Sequence, residues 1–305
     1  LKAALLLEQG LLLTRAGDLQ GSVRSLLECL RVERDGNSTA RCTDALQKIA
    51  TRDDQAGRDA LDAIIEHHRA QQAWQPLVES LEIAATKREA GEERARLLDD
   101  ISQMHETALR VPQLAFMATC RALRDAPTPE RLLRVKALAE ETGSYSDLLE
   151  VLEDVAEAHA AHDKSIAIGF LQEAAGIAEK LDDKAGQVRV AEAIMKLDAG
   201  NAAALNLLER IHRGKADQQA LVEVLRRRVA SSPDVQVRRD SLLEMAKLLV
   251  VADDAGAESA LRQALEENPK DAAALKLLDD IYERIGNSAG LVDVMNAPIA
   301  LEGPL

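Results

Sequence analysis

Apolar residues recur along this chain at intervals of three and four. In "GAESALRQALEENP", Ala257, Ala260, Leu261, Ala264 and Leu265 stand at i, i+3, i+4, i+7 and i+8, one face of a 3.6-residue helix. "VQVRRDSLLEMAKLLVV" gathers Leu242, Met245 and Leu249 in the same way. Four other segments carry an i, i+3, i+6 stripe: Leu61, Ile64, His67; Leu132, Val135, Leu138; Leu205, Leu208, Ile211; and Leu275, Leu278, Ile281. Nothing alternates with period two over a strand's length. The pattern predicts an all-α chain of about sixteen helices, each about 10–20 residues long. Thr128-Pro129 and Ser232-Pro233 read as an N-cap followed by proline at the first helical position. Asn201 and Asp271 read as N-caps before their alanine runs.

The helices repeat. "NAAALNLLERI" opens at Asn201 and "DAAALKLLDDI" at Asp271, with seven of eleven letters shared at an offset of 70 residues. "LVEVL" at Leu221 falls on "LVDVM" at Leu291, again 70 on. "LLEVL" at Leu148 lies 73 residues before Leu221, and "LVESL" at Leu77 lies 71 before that. Each unit of this length holds four helices, or two helical hairpins. One hairpin cannot bury both of its faces, so the same helix recurs because the same stacking interface recurs.

Hairpins of about 35 residues mark a tetratricopeptide array, and particular residues carry the resemblance. Ala257, Leu261, Ala264 and Pro269 stand at the spacing of that family's second-helix alanine, large residue, alanine and closing proline. Ala115, Ala122 and Pro127 repeat the spacing, with Thr119 in the large-residue place. Leu278, Tyr282 and Gly286 fit the first-helix leucine, tyrosine and turn glycine, as do Gly10, Leu13, Gly17 and Asp18 near the start. Alternate hairpins depart from the pattern, with Glu209 and Asp279 at a small-residue place and Leu221 and Leu291 at the alanine place. The chain thus resembles the tetratricopeptide-repeat family, and is similar to the Leu/Ala-rich arrays of deltaproteobacteria and myxobacteria. The resemblance implies a right-handed α-solenoid: a hairpin plus an irregular helix over 1–52, a double-hairpin solenoid over 53–300, and a tail at 301–305.

Composition narrows the class of partner. Hydrophobic residues make up 47% of the chain but aromatics only 2%, so Leu, Ala and Val must fill the core. The net charge of −14 and pI near 5.0 argue against a nucleic-acid or anionic-membrane surface. "LKAALLLEQGLLL" is too short to span a bilayer and is broken by Glu8, Gln9 and Gly10. It lacks a signal peptide's features, and a start at Leu1 inside a helical pattern suggests a fragment or processed form. Cys29, Cys42 and Cys120 form no CxxC and read as small buried thiols, which fits a reducing, cytoplasmic compartment; a periplasmic one would look the same.

Candidate chemistry is sparse. His159 and His162 stand three apart without a third ligand, and His67-His68 fall at packing positions. No GxxxxGK[ST], GxGxxG or GxSxG motif occurs. Asp53-Asp54, Asp99-Asp100 and Asp182-Asp183 read as helix-end charges, Arg226–Arg228 as a solvated face, and Trp74 as a packed turn residue. No catalytic, metal or cofactor site is assigned. The family's peptide clamp places Lys and Asn at positions that here hold Leu243 and Lys247, then Lys276 and Asp280, so an acidic chaperone tail is not the expected partner. The reading is a non-catalytic scaffold or adaptor that binds a partner protein, peptide or helix. The resemblance implies a concave groove lined by first helices, with Asn206, Arg210, Arg213, Lys247, Lys276, Asp280 and Glu283. The alternatives are the regulatory arm of an enzyme whose catalytic domain lies outside this sequence, or a structural element of a bacterial envelope or motility assembly.

Overall fold

The computed structural model describes residues 2–32, 36–250 and 252–292. The proposed tail at 301–305 and the end of the "LVDVM" segment lie outside them. Among the described residues, helices joined by short turns account for the fold and no strand occurs. The chain groups into two compact units, Leu1–Val151 and Leu152–Leu305. The first holds α1 (Lys2–Ala16), α2 (Leu19–Val32), α3 (Gly36–Ala50), α4 (Gln55–Ala70), α5 (Trp74–Thr86), α6 (Glu92–Thr107), α7 (Pro112–Asp125) and α8 (Pro129–Thr142). The division falls inside α9 (Tyr145–His159). The second unit continues with α10 (Lys164–Lys180), α11 (Lys184–Leu197), α12 (Ala202–Gly214), α13 (Gln218–Ser231), α14 (Val235–Leu249), α15 (Asp254–Glu267) and α16 (Ala272–Ile285). A further helical segment covers 288–292.

Within each unit the helices pack in chain order. From α1 to α8, and again from α10 to α16, every helix lies against the next, and α1–α3 and α2–α4 also touch. Contacts between near neighbours are what a hairpin stack requires. Small residues set the spacing. Ala115, Ala118 and Ala122 of α7 are buried, and Ser102 of α6 shares a 2.7 Å hydrogen bond with Thr119 of α7 at their crossing. Between α1 and α2 the allowance is stricter: a Cβ on Gly10 would sit 2.7 Å from the buried Leu26 side chain. In the second unit, Ala257, Ala260, Leu261 and Ala264 pack with Leu242, Met245, Leu278, Ile281 and Tyr282. The stripe that the sequence predicts on α15 is therefore the face that is buried.

Caps fix the helix starts. Asn201 accepts from the Ala204 amide at 3.2 Å, Asp271 from Ala273 and Ala274, and Thr128 from Arg131. Ser232-Pro233 behaves otherwise than the sequence suggests. Asp234 takes the Gln236 amide at 2.8 Å, so α14 starts at Val235 and the Ser232 hydroxyl accepts from the Asp234 amide instead. The Asp234 carboxylate, in extended backbone, takes the cap position, and the start lies two residues on.

The turns reveal a second periodicity. A residue with positive φ follows α1 (Gly17), α4 (Gln72), α6 (Arg110), α8 (Gly143), α10 (Asp182), α12 (Ala216) and α16 (Gly286). At most of these turns the next amide reaches back to close the helix end: Asp183 to Ala178, Asp217 to His212 and Asn287 to Tyr282, all carbonyls, at 2.9–3.0 Å. This is a left-handed C-terminal closure, and it turns a first helix into a second one. From α4 to α12 the closure recurs every two helices, but three helices separate the closures after α1 and α4. That interval holds one helix more than the others.

Candidate functional site

The seven groove residues named from sequence all lie in the second unit, on α12, α14 and α16, and all are exposed. The structure divides them by what they do. Arg210 is paired with Glu179 of α10 at 2.9 Å. Arg213 bridges Glu209 on its own helix (2.6 Å) and Glu244 of α14 (2.8 Å). The Asn206 side-chain oxygen accepts from Arg228 of α13 at 2.7 Å. These three are held by neighbouring helices. Lys247, Lys276, Asp280 and Glu283 make no ion pair among the described residues, and the last three stand at i, i+4 and i+7 on one face of α16.

The pairs holding Arg210 and Arg213 belong to a wider ladder. In the first unit Arg41 of α3 meets Glu8 of α1 (3.1 Å) and Arg31 of α2 meets Glu66 of α4 (2.8 Å). Arg69 of α4 meets Asp100 of α6 (2.6 Å), and Arg121 of α7 meets Glu82 of α5 (2.8 Å). In the second unit Arg189 of α11 meets Glu153 of α9 (3.0 Å) and Arg227 of α13 meets Glu192 of α11 (3.0 Å). Each pair joins a helix to the next but one. An exposed pair stabilises by about 0–1 kcal/mol, so the ladder acts mainly on the register between alternate helices. Much of the chain's charge serves the stack.

One rung has a buried arginine. The Arg131 side chain on α8 is only 7% exposed and binds Asp99 at 2.8 Å and Glu92 at 2.9 Å, both on α6. It also donates to the Ala126 carbonyl at 2.7 Å. Its guanidinium, followed by that of Arg96, holds the Glu92 carboxyl down to about 2, and the acidic partners raise the pKa of Arg131 above its ordinary value. A second inter-helix arginine, Arg94, forks onto the buried Asp125 carboxylate of α7.

Other residues marked in the sequence resolve into structural parts. Asp99 and Asp100 lie mid-helix in α6, not at an end, where they hold Arg131 and Arg69. Asp54 and Asp183 cap α4 and α11, while Asp53 takes Lys87 at 2.6 Å. The three consecutive arginines are ion-paired, not merely solvated: Arg226 with Glu223, Arg227 with Glu192 and Glu223, Arg228 with Glu209. Trp74 packs at the edge of the first unit's core. His68 meets the Ser80 hydroxyl at 3.2 Å, and His159 meets the Val155 carbonyl at 2.8 Å. No group of three or more potential metal ligands gathers among the described residues. None of the described helices is long and apolar enough to cross a membrane. One surface went unread in the sequence: an open hollow of about 380 Å³ between α9, α10 and α11, floored by Ala156, Ala160, Leu171, Ala193 and Leu197. Small and apolar residues from separate helices carry no local signal that they will meet.

Both units are stacks of helices packed in chain order. No protein-family model and no curated protein matches the sequence. Among solved structures, the chain is similar to MamA (41-end) from Desulfovibrio magneticus, at 18% identity over 60% of this chain and 99% of that one, TM-score 0.29. It is also similar to pilF of Pseudomonas aeruginosa, at 14% identity over 73% and 99%, TM-score 0.29. A third likeness is to the TPR2AB domain of yeast Sti1, solved as a pHSP90 complex, at 11% identity over 93% and 98%, TM-score 0.28. Likenesses this remote assign no role to any residue of the chain.

Proposed function

We propose that this chain is a non-catalytic scaffold or adaptor whose second unit holds a partner peptide or helix along α14 and α16. One observation carries the reading. Many charged side chains are engaged between alternate helices, Arg239 of α14 with the α16 cap Asp271 included, whereas Lys247, Lys276, Asp280 and Glu283 stand exposed without an ion pair among the described residues. Desolvating a charge that already has a partner in its own fold costs what it gains. Open charges of both signs on one helix face instead select a partner by complementary charge and register. Asn206, Arg210 and Arg213 have a different part in this reading: they fix α12 against its neighbours and so hold the α14 edge in place. The partner is a protein or peptide carrying alternating charge, and no cofactor is needed.

The test is selection from a displayed peptide library on the immobilised chain, repeated with the triple reversal Lys276→Glu, Asp280→Lys, Glu283→Lys. Enriched peptides should carry charges opposed to the α16 face, and the reversal should invert that preference with an unchanged helical spectrum. Enrichment that ignores the reversal would move the binding surface elsewhere. Failure to enrich any peptide would count against the adaptor reading itself.

A further inference from the structure

Cys29 of α2 and Cys42 of α3 are both wholly buried, and their Sγ atoms lie 3.0 Å apart. The Cys42 thiol points at the Cys29 sulfur, and the Cys29 thiol points at the Ala3 carbonyl of α1 at 3.3 Å. They sit 13 residues apart among Leu7, Leu26, Leu30 and Leu46. Two sulfurs this close need only a short approach to reach the bonded separation of about 2.05 Å. Cys120, on α7, is buried away from both, and burial pushes its thiol up to about 12.

We propose that Cys29 and Cys42 are a disulfide-forming pair that staples α3 to α2 when the chain meets a low-molecular-weight disulfide. The step is thiol–disulfide exchange. One cysteine, as thiolate, attacks the reagent's S–S bond, forming a mixed disulfide and releasing one reagent thiol. The second cysteine attacks the protein-side sulfur, the Cys29–Cys42 bond forms, and the second reagent thiol leaves. The pair gives up two protons and two electrons, and the reagent is reduced to two thiols. Reagent reaches the pair only when the packing around it opens, α1 included, which lies over Cys29 and packs on α2 and α3. Native chains open locally, one or a few helices at a time, without unfolding as a whole. The reaction is gated by that opening, and the crosslink then constrains a short loop in every open state of the chain.

The full chain is equilibrated in glutathione buffers of rising oxidised fraction, with and without mild urea to allow opening, then acid-quenched and alkylated under denaturing conditions. The expected result is a fall from three alkylatable thiols to one, with a Cys29–Cys42 crosslink on peptide mapping and Cys120 still alkylated. Amide exchange in α2 and α3 should slow on the order of tenfold to a hundredfold in the oxidised form. Cys120→Ala should keep the two-thiol loss, and Cys42→Ala should abolish the intrachain crosslink. Three free thiols at every buffer ratio, urea included, would overturn the proposal. So would stable glutathione adducts or interchain dimers in place of the intrachain bond.

Discussion

Ala216 and Gly286 occupy equivalent turns 70 residues apart, and one has a side chain where the other has none. Ala216 closes α12 with φ 53°, and Gly286 closes α16 with φ 70°. The same backbone bonds follow: Asp217 to the His212 carbonyl at 3.0 Å and Asn287 to the Tyr282 carbonyl at 2.9 Å. A left-handed residue with a Cβ costs about 1–2 kcal/mol relative to glycine. Glycine in turn loses about 0.5–1 kcal/mol more chain freedom on folding. Ala216 is exposed, so no packing is lost on its removal. The balance predicts that Ala216→Gly stabilises by about 0.5–1 kcal/mol, and that Gly286→Ala destabilises by a similar amount. Urea unfolding followed by far-UV circular dichroism would read both, and hydrogen exchange should place the first effect in α12 and α13. A lower midpoint for Ala216→Gly, or a neutral Gly286→Ala, would refute the view that these closures carry backbone strain.

Removing Arg131 takes a partner from the partly exposed Glu92, which keeps Arg96, and from Asp99; Arg131→Met should cost about 1–2 kcal/mol in urea titration, and a cost below the error of that titration would make the buried rung dispensable. Ala264 is wholly buried on α15, so Ala264→Glu buries an unpaired, oversized carboxylate and should cost about 3 kcal/mol or more. Because stacking is between neighbours, faster hydrogen exchange should concentrate in α14–α16, and uniform loosening of all helices would contradict that. His105 is buried, and desolvation lowers its pKa below 6.5 against a smaller opposing effect of Glu82. A lowered folded pKa means that the unfolded chain takes the proton first. The stability from a neutral His105 is therefore complete above about pH 6.5 and lost as pH falls through the folded pKa. His105→Phe should flatten the drop in urea midpoint between about pH 7.5 and about pH 5, and an identical drop in the variant would clear His105 of that role.

The sequence by itself determined the elements and their repetition. Helix periodicity reports burial because i, i+3 and i+4 share a face whatever the partner, so the stripes at Leu205–Leu208–Ile211 and on α15 were legible without coordinates. Caps at Asn201 and Asp271 are local chemistry, legible for the same reason. Contacts between a helix and the next but one are not local. Nothing around Arg227 names Glu192, and nothing around Arg131 says that a charged side chain will be buried; both follow from how helices cross. The same holds for Cys29 and Cys42, which looked like two unrelated thiols until α2 and α3 were packed together. Of the proposed groove, the sequence supplied exposed charges on alternate helices. Only the packed helices separated Arg210 and Arg213, whose charges are engaged by neighbours, from Lys247, Lys276, Asp280 and Glu283, because pairing depends on distance across the stack and not along the chain.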